Sequence, residues 1–263
     1  MRKYFSSSSS IALATAAILA FPLALPMSAG AAEVFAYRDG QKVAASLEMP
    51  ATGAELNVAQ GSAEQVGINA AAGNTAAILK TGAGQLILSG ESLITNQVTI
   101  SAGSINLRGR LTAPVSIASG AFIVSKDGTA SKATVSATGS LIVNGYVDKV
   151  TSEGMVINND SIFQLVMNGG TTTNNEGAFM SSATVNAGQM VNNGGVRGVN
   201  VAAGAGFVNN SSGRVTSLSN YGISSNNGNI NRVGQEGGSF ANGDNGQIFF
   251  LRQAAASPQM MAR

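Results

Sequence analysis

The chain has no cysteine, no histidine and no tryptophan among its 263 residues, and only 11% of them are charged. Each absence closes off a chemistry. Without histidine there is no Ser-His-Asp or Cys-His catalytic pair of the usual kind. Without cysteine or histidine there is no ordinary zinc or copper site, and a disulfide framework is excluded as well. Aromatic residues make up only 5% of the chain, few for a compact globule. No cofactor and no metal site are expected.

What is present begins with a leader. Arg2 and Lys3 precede a serine run, the apolar stretch "IALATAAILAFPLALP" and the small-residue end "SAGAAE". This is the pattern of an export signal, with cleavage near Ala31. Pro22 and Pro26 break an apolar run that falls short of the roughly twenty residues a spanning helix needs. No later segment is apolar enough to cross a bilayer as a helix. Removing Arg2 and Lys3 from the 15 basic residues leaves the remainder balanced against 13 acidic ones. A near-neutral chain gives no electrostatic basis for binding nucleic acid.

Beyond the leader, Gly, Asn, Ser, Thr, Ala and Val dominate. Val and Ile return in alternation, which argues for short strands separated by small turn residues rather than for disorder. Segments that open on Val98, Val115, Ala133, Val150, Val166, Ala183, Val199 and Val215 resemble one another, with steps of 16 to 18 residues. That period is too short for a helix pair or a propeller blade, which need roughly thirty to fifty residues. It suits one coil of a β-solenoid, two or three short strands pairing in parallel with the next coil. The expected fold is therefore all-β, a single-stranded right-handed parallel β-helix with coils of about 16–18 residues. The expected boundaries are a signal peptide over 1–31, an N-terminal cap over 32–60, the solenoid over 61–235, and a C-terminal tail or cap over 236–263.

Counting ten or eleven places beyond each opening residue gives Asn144, Asp160, Glu176, Asn193 and Asn209. One place earlier, Asn159, Asn175 and Asn192 form a second partial column. The first column reads as a structural turn ladder, in which asparagine tolerates left-handed backbone and its amide bonds to equivalents above and below. Its alternative reading makes Asp160 and Glu176 a carboxylate pair for polysaccharide cleavage or for calcium. Lys132, Lys149, Arg214 and Arg197 recur just before the opening residues. They read as solvated charges that discourage edge association, or else as a strip for anionic glycans.

The stretch "KTGAGQLILSG" superficially mimics a phosphate-binding loop. Ile87 stands where a dinucleotide fingerprint needs its third glycine, a strand follows instead of a helix, and no Gly-Lys-Ser/Thr is present. Lys80, Gly82, Gly84, Leu86, Leu88 and Gly90, followed after a spacer by Thr99, Gly103 and Ile105, instead resemble the passenger-associated β-strand repeat of bacterial autotransporters. The match covers about thirty residues. The spacer "ESLITNQV" departs from the family in lacking its aromatic and glycine pair.

The resemblance implies a β-helical passenger at the cell surface or secreted, with the periplasm as the alternative. The roughly thirty residues after Asn231 are too few for even an eight-stranded translocator barrel, so the expectation is a truncated passenger, a protein secreted through a separate outer-membrane transporter as partner, or a periplasmic or surface solenoid. The expected function is non-catalytic: adhesion or self-association, with a host-surface or glycan ligand or further copies of the chain as partners. A β-helical polysaccharide-degrading enzyme and a polymerising scaffold are the alternatives.

Overall fold

The computed structural model describes residues 23–25 and 31–253. Most of the expected signal peptide lies outside the described residues. Every regular element among them is a β-strand, and all pair in parallel except Leu23–Leu25, which runs antiparallel to Glu33–Tyr37. The chain is a β-solenoid of the right-handed parallel β-helix type.

Each coil carries three strand faces. Taking one coil, the first face holds Thr129 and Ala130, the second runs from Lys132 to Val135, and the third is the strand Gly139–Val143. A register irregularity at Leu111 and Pro114 marks the corner between the first and second faces. Alternation decides what faces in. Along Gly139–Val143, Leu141 and Val143 are buried while Ser140 and Ile142 are only half-buried, as a pleated strand with one side on the core requires.

The inward columns are stacks of equivalent residues. On the second face the column runs Ile78, Val98, Val115, Ala133, Val150, Leu165, Ala183, Val199, Leu218, Val233 and Leu251. Coil length therefore varies from 15 residues (Val150 to Leu165) to 20 (Ile78 to Val98), and the coil before it, from Ala54 to Ile78, takes 24. This is wider than the expected 16–18, and it moves two rungs. Leu165, not Val166, continues the column after Val150. Leu218, not Val215, follows Val199, because Val215 belongs to the first face beside Val196.

Glycine makes the corners possible. Gly84, Gly103, Gly154, Gly170 and Gly188 precede successive third-face strand segments, and Gly120 and Gly139 open theirs. At Gly103 φ is +64°, and a Cβ there would meet the carbonyl oxygens of Gly82 and Gly84 in the coil below. A residue with a side chain would be strained and would also collide with backbone.

The parallel register continues into both flanks. Glu33–Tyr37 pairs in parallel with Ala54–Val58, so the coil register already runs through residues 33–58. At the other end Ser239–Asn242 and Gln247–Gln253 add a further coil. Leu251 occupies an inward position yet is 52% exposed, because no described strand covers the far edge of this coil.

Candidate functional site

The third face carries the most specific side-chain arrangement. Its distal inward column starts with Val43 and the buried Gln65, continues through Leu88, Leu107, Val124 and Val143, and then changes to Asn158, Asn174, Asn192, Asn209, Asn226 and Asn242. The first five asparagines are fully buried. Asn158 Nδ2 donates to Asn174 Oδ1 at 2.7 Å, and each later Nδ2 donates to the next Oδ1 at 2.8 Å, as far as Asn242. The second Nδ2 hydrogen finds a backbone carbonyl: Gly194 for Asn192 at 3.1 Å and Gly213 for Asn209 at 3.2 Å. The backbone N–H of Gly194 and of Gly228 donates to the Oδ1 two residues earlier, at 3.3 and 3.1 Å. Such satisfaction is what buried amides require.

A second ladder lies one residue further on, pointing outward. Asn159 Nδ2 donates to Asn144 Oδ1 at 2.7 Å, Asn175 to Asn159 at 2.6 Å, and Asn210 to Asn193 at 2.7 Å. The two ladders run in opposite senses: the inner one donates toward the C-terminal coil, the outer one toward the N-terminal coil.

The residues singled out from the sequence fall at four different positions in the coil. Asn144 and Asn193 lie in the outer ladder, and Asn209 lies in the buried one. Asp160 occupies the corner position held by Gly145 in the coil before and Ala178 in the coil after. Glu176 stands in an exposed turn that the preceding coil lacks. A fixed offset from the rung residue drifts when coil length varies, and this is why the five do not align. Nor does left-handed backbone explain the asparagines, since every positive φ among the described residues belongs to glycine. The exposed carboxylates of Asp160 and Glu176 sit at non-equivalent positions, and Asp160 accepts from the Ser161 hydroxyl at 3.0 Å. Among the described residues no group of three acidic, histidine or cysteine side chains could hold a metal ion.

The residues of the resemblance are divided between core and corner. Leu86, Leu88 and Ile105 are fully buried rungs. Gly82, Gly84, Gly90 and Gly103 stand at turns, and Thr99 is a half-buried outward residue beside the inward Val98. Lys80 is the surprise, because it points inward and is completely buried. Its ammonium donates to the carbonyls of Thr81 at 2.6 Å, Gly82 at 3.0 Å and Ala102 at 3.3 Å. Burial pushes its pKa down to about 8, while the three carbonyls favour the charged form. The lysine ties the glycine turn to the coil above it.

Outward-facing groups on the first face and its corner form a different feature. Phe179, Arg214, Thr216, Asn229, Asn231 and Phe249 line a groove of about 500 Å³. A second groove of about 340 Å³ adjoins it, shares Thr216, Asn231 and Phe249, and adds Arg232 and Phe250. The Phe179 ring leans over Gly195, where a Cβ would touch it. The basic residues do not form one file. Lys132, Lys149 and Arg232 belong to the same register column, separated by Gln164, Ser182, Gly198 and Ser217. Arg214 and Arg197 stand in neighbouring columns.

Comparison with protein-family models, with curated proteins and with solved structures gives no match.

Proposed function

We propose that the chain is the shaft of an exported bacterial surface or secreted protein, passenger-like in character and non-catalytic, acting in adhesion or self-association. One observation carries this reading: the same parallel register persists from Glu33 to Gln253, so one elongated body presents repeating outward columns along its length. A solenoid of this kind builds a long contact surface from local pairing alone. The leader over residues 1–31 supports export, and the stretch around Lys80–Ile105 supports kinship with autotransporter passengers.

Self-association is the mode favoured by a specific feature. The outer edge of Gln247–Gln253 has no strand partner among the described residues, and Phe249, Phe250 and Leu251 are all more than half exposed there. An unpaired strand edge rich in apolar side chains is a template for further pairing. The test is a binding assay with residues 32–263, displayed on cells and in solution, against host cells, extracellular matrix, glycans and further copies of itself. Retention by at least one of these supports the reading. Absence of binding to all of them contradicts it.

A further inference from the structure

We infer that the paired grooves between Phe179 and Phe250 form a binding trough for a linear acidic polysaccharide of the uronic-acid type. The inference rests on the reading of the solenoid as an outward-facing scaffold, and it assigns that scaffold a ligand and a place to hold it.

The trough is long and open. Phe179 and Gln247 share a register column and stand four rungs apart, and Phe249 follows Gln247 by two residues. At the strand spacing of about 4.8 Å the trough spans roughly 19 Å, so it fits a polymer segment rather than a single small molecule. Its ends are aromatic, Phe179 on one side and Phe249 with Phe250 on the other, all three rings about half exposed or more. Exposed rings on a protein short of aromatics offer flat apolar surfaces against which the C–H faces of sugar rings stack.

Between the rings the lining is polar and unspent. Thr216, Asn229 and Asn231 make no side-chain hydrogen bond to another described residue, so their hydroxyl and amide groups are free to pair with ligand hydroxyls. The charge is of one sign. Arg214 and Arg232 line the grooves and no carboxylate does. Both ion pairs found among the described residues lie elsewhere, Lys42 with Glu64 and Arg252 with Glu236.

Two unpaired guanidinium groups in adjacent coils present forks suited to carboxylates. Arg197, exposed and in register one rung below Thr216, adds a third cation at the edge of the same four rungs. The neutral Thr216, Asn229 and Asn231 beside the arginines suit a polymer whose units each carry hydroxyls as well as a carboxylate, and the nucleic-acid and sulfate arms of the test separate that ligand from other polyanions.

The test uses residues 32–263 and measures binding to alginate and polygalacturonate, with dextran sulfate, polyglutamate, single-stranded poly-dT and neutral dextran as the other arms. The expected result is binding to the uronic-acid polymers that weakens with salt. Arg214→Ala with Arg232→Ala lowers the affinity at least tenfold, and Phe179→Ala or Phe249→Ala lowers it several-fold. Lys132→Ala with Lys149→Ala, nearer the N-terminus and outside the trough, leaves it unchanged. Circular dichroism confirms that each variant keeps its strands.

Equal or tighter binding to polyglutamate or poly-dT overturns the proposal in favour of general polyanion capture, and preference for dextran sulfate overturns the choice of carboxylate. Failure to bind any uronic-acid polymer, or binding indifferent to all four trough substitutions, overturns it outright. If cells or matrix are still bound in that case, the scaffold reading stands and only the trough assignment fails.

Discussion

The third-face column from Leu88 to Val143 and the same column from Asn158 onward differ in chemistry while sharing one backbone path. In the first stretch Leu88, Leu107, Val124 and Val143 fill the interior, and in the second Asn158 through Asn242 replace them. Aliphatic rungs stabilise by removing area from water, about 1.5–3 kcal/mol for each buried side chain, with little demand on direction. Asparagine rungs gain little net energy per hydrogen bond, about 1 kcal/mol, but each constrains the amide above and below it. The comparison teaches that one solenoid can be closed either by burial or by directional pairing. The asparagine stretch is the part in which a slipped register breaks every bond at once.

Exchanging residues between the stretches gives the sharpest tests. Leu107→Asn places a lone amide among aliphatic rungs, loses the leucine's burial and finds no column partner. We expect a loss of about 3–5 kcal/mol in unfolding free energy, read by chemical denaturation. The reverse exchange, Asn192→Leu, strands the Nδ2 of Asn174 and the Oδ1 of Asn209 and costs about 2–5 kcal/mol. If Asn192→Leu proves neutral, the asparagine column behaves as the aliphatic one does and the distinction collapses.

Lys80 is the buried charge of the aliphatic stretch, and its effect appears with pH. Its folded pKa of about 8 lies below the unfolded value of 10.5, so between these the unfolded chain binds the extra proton. Its contribution to stability is present above pH 10.5 and is lost as pH falls through about 8. Tyr37, whose phenol is pushed up by burial, acts oppositely and lowers stability above pH 10. Denaturation between pH 8 and 9.5 therefore isolates the lysine, with stability rising over that window. Lys80→Met should flatten the rise.

The smallest effect belongs to the boundary. Val143→Asn puts an amide directly below Asn158, where its Nδ2 can reach the existing Oδ1. We expect a change within about 1 kcal/mol, in contrast to Leu107→Asn two rungs earlier in the same column.

Much of this was legible in the sequence, though not the column that matters most. The alternation of Val and Ile with small residues specifies strands, and a short period specifies a solenoid, as the parallel register of Val98, Val115, Ala133 and Val150 bears out. The register of later coils was not legible from apolar residues alone, because loops of unequal length displace Leu165 and Leu218 from a fixed step. A better signal lay in the Asn-Asn pairs at 158–159, 174–175, 192–193, 209–210 and 226–227. In a strand, neighbouring residues face opposite ways, so each pair supplies one amide to the buried ladder and one to the outer surface. The inward lysine was illegible for another reason: charge ordinarily marks an outward position, and only the ring of carbonyls around Lys80 overrides that rule. The trough joins residues from five coils, which no local pattern reveals.

The most direct measurement is hydrogen exchange of the asparagine side-chain amides by NMR on residues 32–263. The account predicts that the Nδ2 protons of Asn174, Asn192, Asn209 and Asn226 exchange far more slowly than those of the outward Asn144, Asn159 and Asn175. Exchange of both sets at the rate of free asparagine would contradict a buried ladder and, with it, the stacking of coils that the ladder records.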